Sequence, residues 1–386
     1  MEEKYGRTAG KFVVYFFVIF YVFASSVIMG TPSHAEDKEI LIGSVLPLTG
    51  KQAKPGRLFK MGYDLAFKQQ NEKGGIYLKD IKKKIPTKLV IYDDKTNPTV
   101  SAGMAERLAT VDKIDAFLGG YTTPLGEAQA IIPEKYGIPY VTGGTASKPL
   151  FKPTNKWIFG TLSSVETLSA TIMDWLKLEQ DAKRLPKPAK IALIWQNTDH
   201  GREYRDGVQT WIKEKPGLFE IALNEPFENM GKEHTPIIIK VKQARADVFL
   251  SDAYEPDYIL QHRAYVEQGL NHKVVNYGAR GPEKSAREAL GDYVDYNVAA
   301  LWWSPMLPYP QSKKLMADFY AEYKEDLTEW YGALGYDTAR VLFKAFEDAG
   351  STNKEKVRQA LLKMVMSGSV IPKQTIFFPK SNNYQI

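Results

Sequence analysis

The chain has 386 residues, is 44% hydrophobic and 25% charged, and contains no cysteine. That length suits two lobes of ordinary domain size, and the composition excludes a disordered chain, while the missing cysteines exclude thiolate zinc sites, cysteine nucleophiles and a lipid-bearing cysteine. The net charge of +6 is mild and its lysines are interspersed with acids, so the concentrated phosphate-facing patch of a nucleic-acid binder is missing.

In chain order, Lys4, Arg7 and Lys11 precede the apolar run Phe12 to Met29. Small residues at Ser33 and Ala35 then suit cleavage before Glu36, so residues 1–35 read as a signal peptide. The apolar run is nearly long enough to span a bilayer, and an uncleaved anchor is the alternative. Either way the remainder is expected to be exported; with the signal cleaved near Ala35 it is free in the periplasm.

Short β-rich runs then alternate with helical patterns. Glu39 to Pro47 is nearly continuous apolar, as a buried parallel strand should be. Leu58, Met61, Leu65 and Ala66 fall at helical spacing from Pro55 to Gln70, and Gly74-Gly75 stops that helix. Strands are expected at Lys88 to Asp94, Ile114 to Gly120 and Ile138 to Gly144, with helices from Asn97-Pro98 to Thr110 and from Pro124 to Tyr136. After Lys187-Pro188 the pattern restarts with strands at Lys190 to Gln196, Phe219 to Phe227, Ala246 to Ala253 and Lys273 to Ala279. Helical stretches follow at Ser312 to Tyr323 and Ala333 to Ala349. The fold class is therefore α/β, with two doubly wound Rossmann-like lobes built on parallel sheets.

The first loop, Gly43 to Gly56, imitates a phosphate-binding loop and fails the test. Six residues instead of four separate Gly43 from Gly50-Lys51, and Gln52 stands where a magnesium-binding hydroxyl belongs. Pro47 also removes one of the backbone donors such a loop needs. The five histidines, His34, His200, His234, His262 and His272, form no H-E-x-x-H, and no G-x-S-x-G is present. Asp93-Asp94 sits at a strand end, where a solvated turn or helix cap is the ordinary role. The expectation is a protein that is not an enzyme and needs no cofactor or metal.

Glycine-rich strand ends are the better candidates. In GGYTTPLGEA, Thr123 precedes Pro124 and reads as a helix N-cap with free N–H groups behind it, a natural seat for an anion. GGTAS, Gly143 to Ser147, offers carbonyls and two hydroxyls, although an ordinary turn has the same composition. His200 lies in a strand-to-helix loop, where a plain surface histidine is the alternative.

These pieces carry a resemblance. LPLTGKQAKPG, MGYDLAFKQQNEKGGI, YDDKTNPTVSAGMAERL, DAFLGGYTTPLGEAQAIIPEKYGIPYVTGG, WIFGTL, WQNTDHGREYRDG, ADVFLSDAYEPD and YGALGYDTARVLFKAF occur in one order over nearly the whole chain beyond residue 35. Together they are similar to the leucine/isoleucine/valine-type periplasmic binding proteins of ABC importers, the type I substrate-binding proteins. The resemblance implies three crossovers between the lobes, a ligand held between them and closure about a hinge. It divides the chain into residues 36–160 plus 304–360 for lobe 1 and 161–303 plus 361–386 for lobe 2. It implies a monomer that hands an amino acid, or a related small carboxylate or amide, to an inner-membrane ABC permease, with no nucleic-acid partner. A sensor feeding a membrane receptor is the alternative.

The resemblance also implies site residues. Thr123 meets the ligand carboxylate, with Thr122 beside it as a further ligand-binding candidate and Tyr121 lining the cleft, while Gly144, Thr145 and Ala146 hold the carboxylate and ammonium. His200 and Tyr254 reach it from lobe 2, with Asp252 as the competitor for the Tyr254 role. Trp302 and Trp303 are candidates to line the cleft or to fill the core. Where the family carries an ammonium-binding glutamate, the match is ambiguous: Gly281-Pro282-Glu283 comes late, and Ala279 and Arg280 are the alternatives for the place, an arginine there favouring a carboxylate or an amide. The chain also stops at TIFFPKSNNYQI, where one more strand is usual.

Overall fold

The computed structural model describes residues 39–378, so the expected signal segment lies outside the described residues. Lobe 1 opens with β1 (Ile40–Leu46), α1 (Ala53–Glu72), a small hairpin of β2 (Ile76–Leu78) and β3 (Lys83–Ile85), then β4 (Thr87–Asp93) and α2 (Pro98–Thr110). It continues with β5 (Ala116–Leu118), α3 (Thr123–Tyr136), β6 (Tyr140–Thr142) and β7 (Ile158–Gly160). All pairings in its sheet are parallel, in the order β4-β1-β5-β6-β7. Covered by helices on both faces, β1 is buried almost throughout, as its unbroken apolar run requires.

Lobe 2 repeats the design. It contains α4 (Val165–Asp181), β8 (Ala189–Gln196), α5 (Asp199–Glu214), β9 (Phe219–Phe227) and α6 (Thr235–Ala244). Then come β10 (Val248–Asp252), α7 (Glu255–Glu267), β11 (Val274–Asn276) and α8 (Lys284–Leu290). Its parallel sheet runs β11-β10-β8-β9. Strand β9 lies at an edge and alternates between buried and exposed positions, whereas β8 inside the sheet is buried at nearly every residue.

The chain returns to lobe 1 through α9 (Pro310–Tyr323), α10 (Trp330–Ala349) and α11 (Lys354–Leu362). Helix α10 crosses α1 at very short range: a Cβ on Gly62 would stand 2.2 Å from the Gly332 carbonyl oxygen. Only glycine permits that approach, and it draws Leu58, Phe59, Leu334 and Leu342 into one core. The start of α10 is not the expected one, since the helix takes in Trp330 and Tyr331 ahead of Ala333.

The tail departs from expectation too. Residues beyond 360 were assigned to lobe 2 by resemblance, but the hairpin β12 (Val365–Ser367) and β13 (Thr375–Phe377) brackets a loop held by lobe 1 helices. Asp337 of α10 accepts from the Val370 N–H at 2.8 Å, and Ser312 of α9 donates to the Val370 carbonyl at 2.8 Å. The Phe378 ring meets Phe159 of β7 at 5.2 Å. Asp337 is buried, and satisfying its carboxylate is what fixes this loop.

Candidate functional site

In each lobe the strand order reverses beside the first strand, between β1 and β5 in lobe 1 and between β8 and β10 in lobe 2. Loops leaving the carboxyl ends of such strands diverge and leave a crevice. Tyr121, Thr122 and Thr123 follow β5, His200 follows β8, and Tyr254 follows β10. The structure brings both groups to the seam where the lobes meet.

Helix α3 begins one residue earlier than its pattern suggests. Thr122, not Thr123, is the N-cap, at φ 73° and ψ 148°, and Thr123 is already the first helical residue. A β-branched residue at positive φ is strained by roughly 1–3 kcal/mol and persists only where its surroundings impose it, typically at a working site. The Thr123 N–H does not stand open as expected. It donates to the Tyr254 phenol oxygen at 3.2 Å, so a lobe 2 side chain sits at the positive end of α3.

Arg280 is the centre of the seam. The turn Tyr277-Gly278-Ala279-Arg280 after β11, with Gly278 at φ +66°, swings it toward lobe 1. Its guanidinium donates to the Tyr121 hydroxyl at 3.0 Å, the Tyr331 hydroxyl at 2.7 Å and the Ala253 carbonyl at 3.2 Å. Glu283 stands 3.4 Å away and itself accepts from the Gly281 N–H at 2.6 Å. Arg280 and the glutamate of the GPE stretch, alternatives in the sequence, thus form one buried pair. Burial raises the Glu283 carboxyl above its ordinary value, with Arg280 opposing that rise.

Rings close around this pair. The Arg280 guanidinium lies 5.7 Å from the Trp330 and Tyr331 ring centres and 5.9 Å from that of Tyr254. Phe59, Tyr121 and Trp302 complete the cluster, with Trp302 and Trp330 4.9 Å apart. Trp302 therefore belongs to the seam, while Trp303 is a core residue whose indole N–H donates to Ser312.

The remaining expected residues divide. Gly144, Thr145 and Ala146, after β6, are all buried. Gly144 is needed for backbone proximity: a Cβ there would stand 2.3 Å from the Gly120 carbonyl oxygen. The Thr145 side chain packs on α3 at Gly126, where an added Cβ would lie 2.1 Å from its hydroxyl oxygen. His200 Nδ1 donates to Asp252 Oδ2 at 2.9 Å, and Gln196 donates to the same oxygen at 2.9 Å. Asp252 is thereby committed inside lobe 2, and the His200 ring supports Tyr254 at 5.6 Å between ring centres.

Several buried polar atoms at the seam find no hydrogen-bond partner within the protein: Oγ1 of Thr122, Oγ of Ser147 and Nε1 of Trp330. Thr123 Oγ1 joins them, since it lies beside the Tyr254 phenol without hydrogen-bond geometry. Buried polar groups are nearly always satisfied, and two of these exceptions, Thr122 and Thr123, stand at one strained helix start. Phe59, Trp330 and Tyr331 were not foreseen as site residues. The only sequence signal for the last two is an aromatic pair directly before GALGYD.

Among the described residues no helix is long and apolar enough to cross a membrane, and no three His, Asp or Glu side chains are grouped to hold a metal. A comparison with known proteins finds a "Leu/Ile/Val-binding protein homolog 7" of Brucella abortus that is 22% identical over 330 residues, 84% of this chain and 80% of that protein. Among solved structures, the branched-chain amino acid transporter substrate binding protein LivJ of Streptococcus pneumoniae, in complex with isoleucine, superposes with a TM-score of 0.77 at 18% identity, covering 90% of this chain and 94% of its own. A solute binding protein of an ABC transporter from Rhodopseudomonas palustris, in complex with 3,4-dihydroxy benzoic acid, does so with a TM-score of 0.72 at 18% identity, covering 90% of each chain. Both solved structures share this fold. The family model for periplasmic binding proteins matches residues 39–383, and the chain belongs to that family.

Proposed function

We propose that this protein is the exported solute-binding component of an ABC importer, which captures a small carboxylate-bearing molecule, an amino acid or a related acid or amide, between its lobes. It then closes and presents the guest to an inner-membrane permease. The carrying observation is the pair of unpartnered buried hydroxyls of Thr122 and Thr123 at the start of α3, next to Tyr121, whose own hydroxyl meets Arg280. A helix N-terminus and a guanidinium both favour a carboxylate. The guests named for the two structural neighbours, isoleucine and 3,4-dihydroxy benzoic acid, share that group.

In this reading a guest oxygen takes the place of the Tyr254 phenol on the Thr123 N–H, and the displaced phenol turns to the guest. Contacts made only when both lobes touch the guest shift the protein toward its closed form. Binding, not bond-making, is the task, and the buried carboxylates nearest Arg280 and Tyr254, those of Glu283, Glu255, Glu329 and Asp252, are engaged with Arg280, Lys54 or His200.

A thermal-shift screen of amino acids, their amides and aromatic acids tests the reading. A specific guest at a hundred times its Kd is expected to stabilise the protein by about 2.7 kcal/mol. No shift with any of these compounds, together with turnover of one of them, defeats it.

A further inference from the structure

Two carboxyl clusters join elements of different lobes across the seam. In the first, Lys54 at the start of α1 in lobe 1 reaches Glu255 at the start of α7 in lobe 2 at 3.1 Å, and Ser285 of α8 at 2.9 Å. Its other partner is Glu329, the N-cap of α10, at 2.7 Å. Both glutamates are buried, and Oε2 of each has no partner in the protein. Glu329 also accepts from the Lys284 N–H at 3.3 Å, a second link between lobes. In the second cluster, Glu127 of α3 in lobe 1 faces Asp199, the first residue of α5 in lobe 2, and its Oε1 is likewise buried and unpartnered. These two residues line one opening of about 350 Å³, and Lys54, Ser285 and Glu329 line another of about 540 Å³.

Resting on the reading that the lobes part and rejoin, we propose that these clusters make closure proton-linked: protons taken up at Glu255 and Glu127 hold the lobes together, and their release lets them part. At the first cluster two cations, Lys54 and Arg280, face three carboxyl groups, Glu255, Glu283 and Glu329. One added proton balances that charge and supplies a donor where two buried carboxyl oxygens have none. Around Glu255 the facing groups are Lys54 from α1, Glu329 and Tyr331 from α10, Tyr121 from the loop after β5, and Ser285, Glu283 and Arg280 from α8 and the turn before it. Around Glu127 they are Asp199, Arg202 and Glu203, all on α5.

The sign follows from where each carboxyl is exposed. With the lobes together, burial first and neighbouring carboxylates second push Glu255 and Glu127 from 4.5 up to about 7, although Lys54 opposes the rise at Glu255 and Arg202 at Glu127. Parting the lobes returns both groups to water and toward the ordinary value. The joined form therefore holds the proton more tightly. Its advantage is complete below the ordinary carboxylate range and is lost as pH rises through about 7.

Because the natural chain has no cysteine, Lys113→Cys in lobe 1 and Lys213→Cys in lobe 2, both exposed, place a fluorescent donor and acceptor for energy transfer. Without any added solute, the ratio of joined to parted molecules is expected to fall at least about tenfold between about pH 5 and about pH 9. Glu255→Gln with Glu127→Gln should hold the ratio near its acid value at every pH. Lys54→Met removes the opposing cation and should move the midpoint upward. Circular dichroism on each variant separates this from misfolding. Energy transfer that ignores pH, or lobes that part on acidification, overturns the proposal. If a solute drives the lobes together while pH does not, only the proton link fails; if pH moves them and no solute in the screen does, the solute-capture reading fails instead.

Discussion

Replacing Arg280 by methionine is expected to lower the unfolding free energy by roughly 3–5 kcal/mol, the cost of leaving one half of a buried ion pair behind. Glu283 would keep its backbone donors, such as the Gly281 N–H at 2.6 Å, but lose its counter-charge, and the Tyr121 and Tyr331 hydroxyls would lose their shared donor. Adding Glu283→Gln to the same chain removes the stranded charge and should restore most of the loss, so the two changes are strongly non-additive. Denaturant titration of the two single variants and the double variant measures the coupling. If Arg280→Met unfolds at the wild-type concentration, the guanidinium does not hold the seam. Solute capture provides a separate readout: the repaired double variant should be stable yet fail to retain a carboxylate, since the planar donor fork is gone.

The second large effect is expected at Gly144. Alanine there would put its Cβ 2.3 Å from the Gly120 carbonyl oxygen and 3.2 Å from both the Phe59 ring and the Tyr121 Cα. The obstacle is backbone, which cannot rotate aside, so the change should cost toward the upper end of the roughly 1–3 kcal/mol typical of overpacking. The two strand-end loops would part, carrying Tyr121 off Arg280. Gly103 provides the contrast: it lies on the exposed face of α2 with nothing within 4 Å of an added Cβ. Gly103→Ala should stabilise by about 0.4–1 kcal/mol through helix preference. Thermal melts of both variants decide the matter, and a neutral Gly144→Ala would mean that the loops do not touch.

Much of the scaffold was legible because its signals are local. The unbroken apolar run of β1 and the Asn97-Pro98 start of α2 fell where they were expected. In α2 the Asn97 side chain accepts from the N–H groups of Thr99 and Val100, as a cap should. The start of α3 slipped by one residue because no propensity rule places a threonine at φ 73°. Trp330 and Tyr331 were missed because nothing local distinguishes an aromatic pair that opens a helix at a seam from one that fills a core. The Lys54–Glu255 contact joins residues 201 positions apart, which no pattern along the chain reveals. Tail residues 365–378 were misplaced because the buried Asp337 that claims their backbone reads in sequence as an ordinary helix position.

The ring cluster at the seam has an optical consequence. Trp302 and Trp330, with centres 4.9 Å apart and planes inclined at 62°, are close enough and tilted enough for their electronic transitions to mix. Such a pair gives a split dichroic band from the strong far-ultraviolet indole transition, whose size depends steeply on separation and tilt. The protein thus carries its own spectroscopic gauge, readable without dyes or substitutions, of whether those two indoles keep their mutual geometry when a guest arrives.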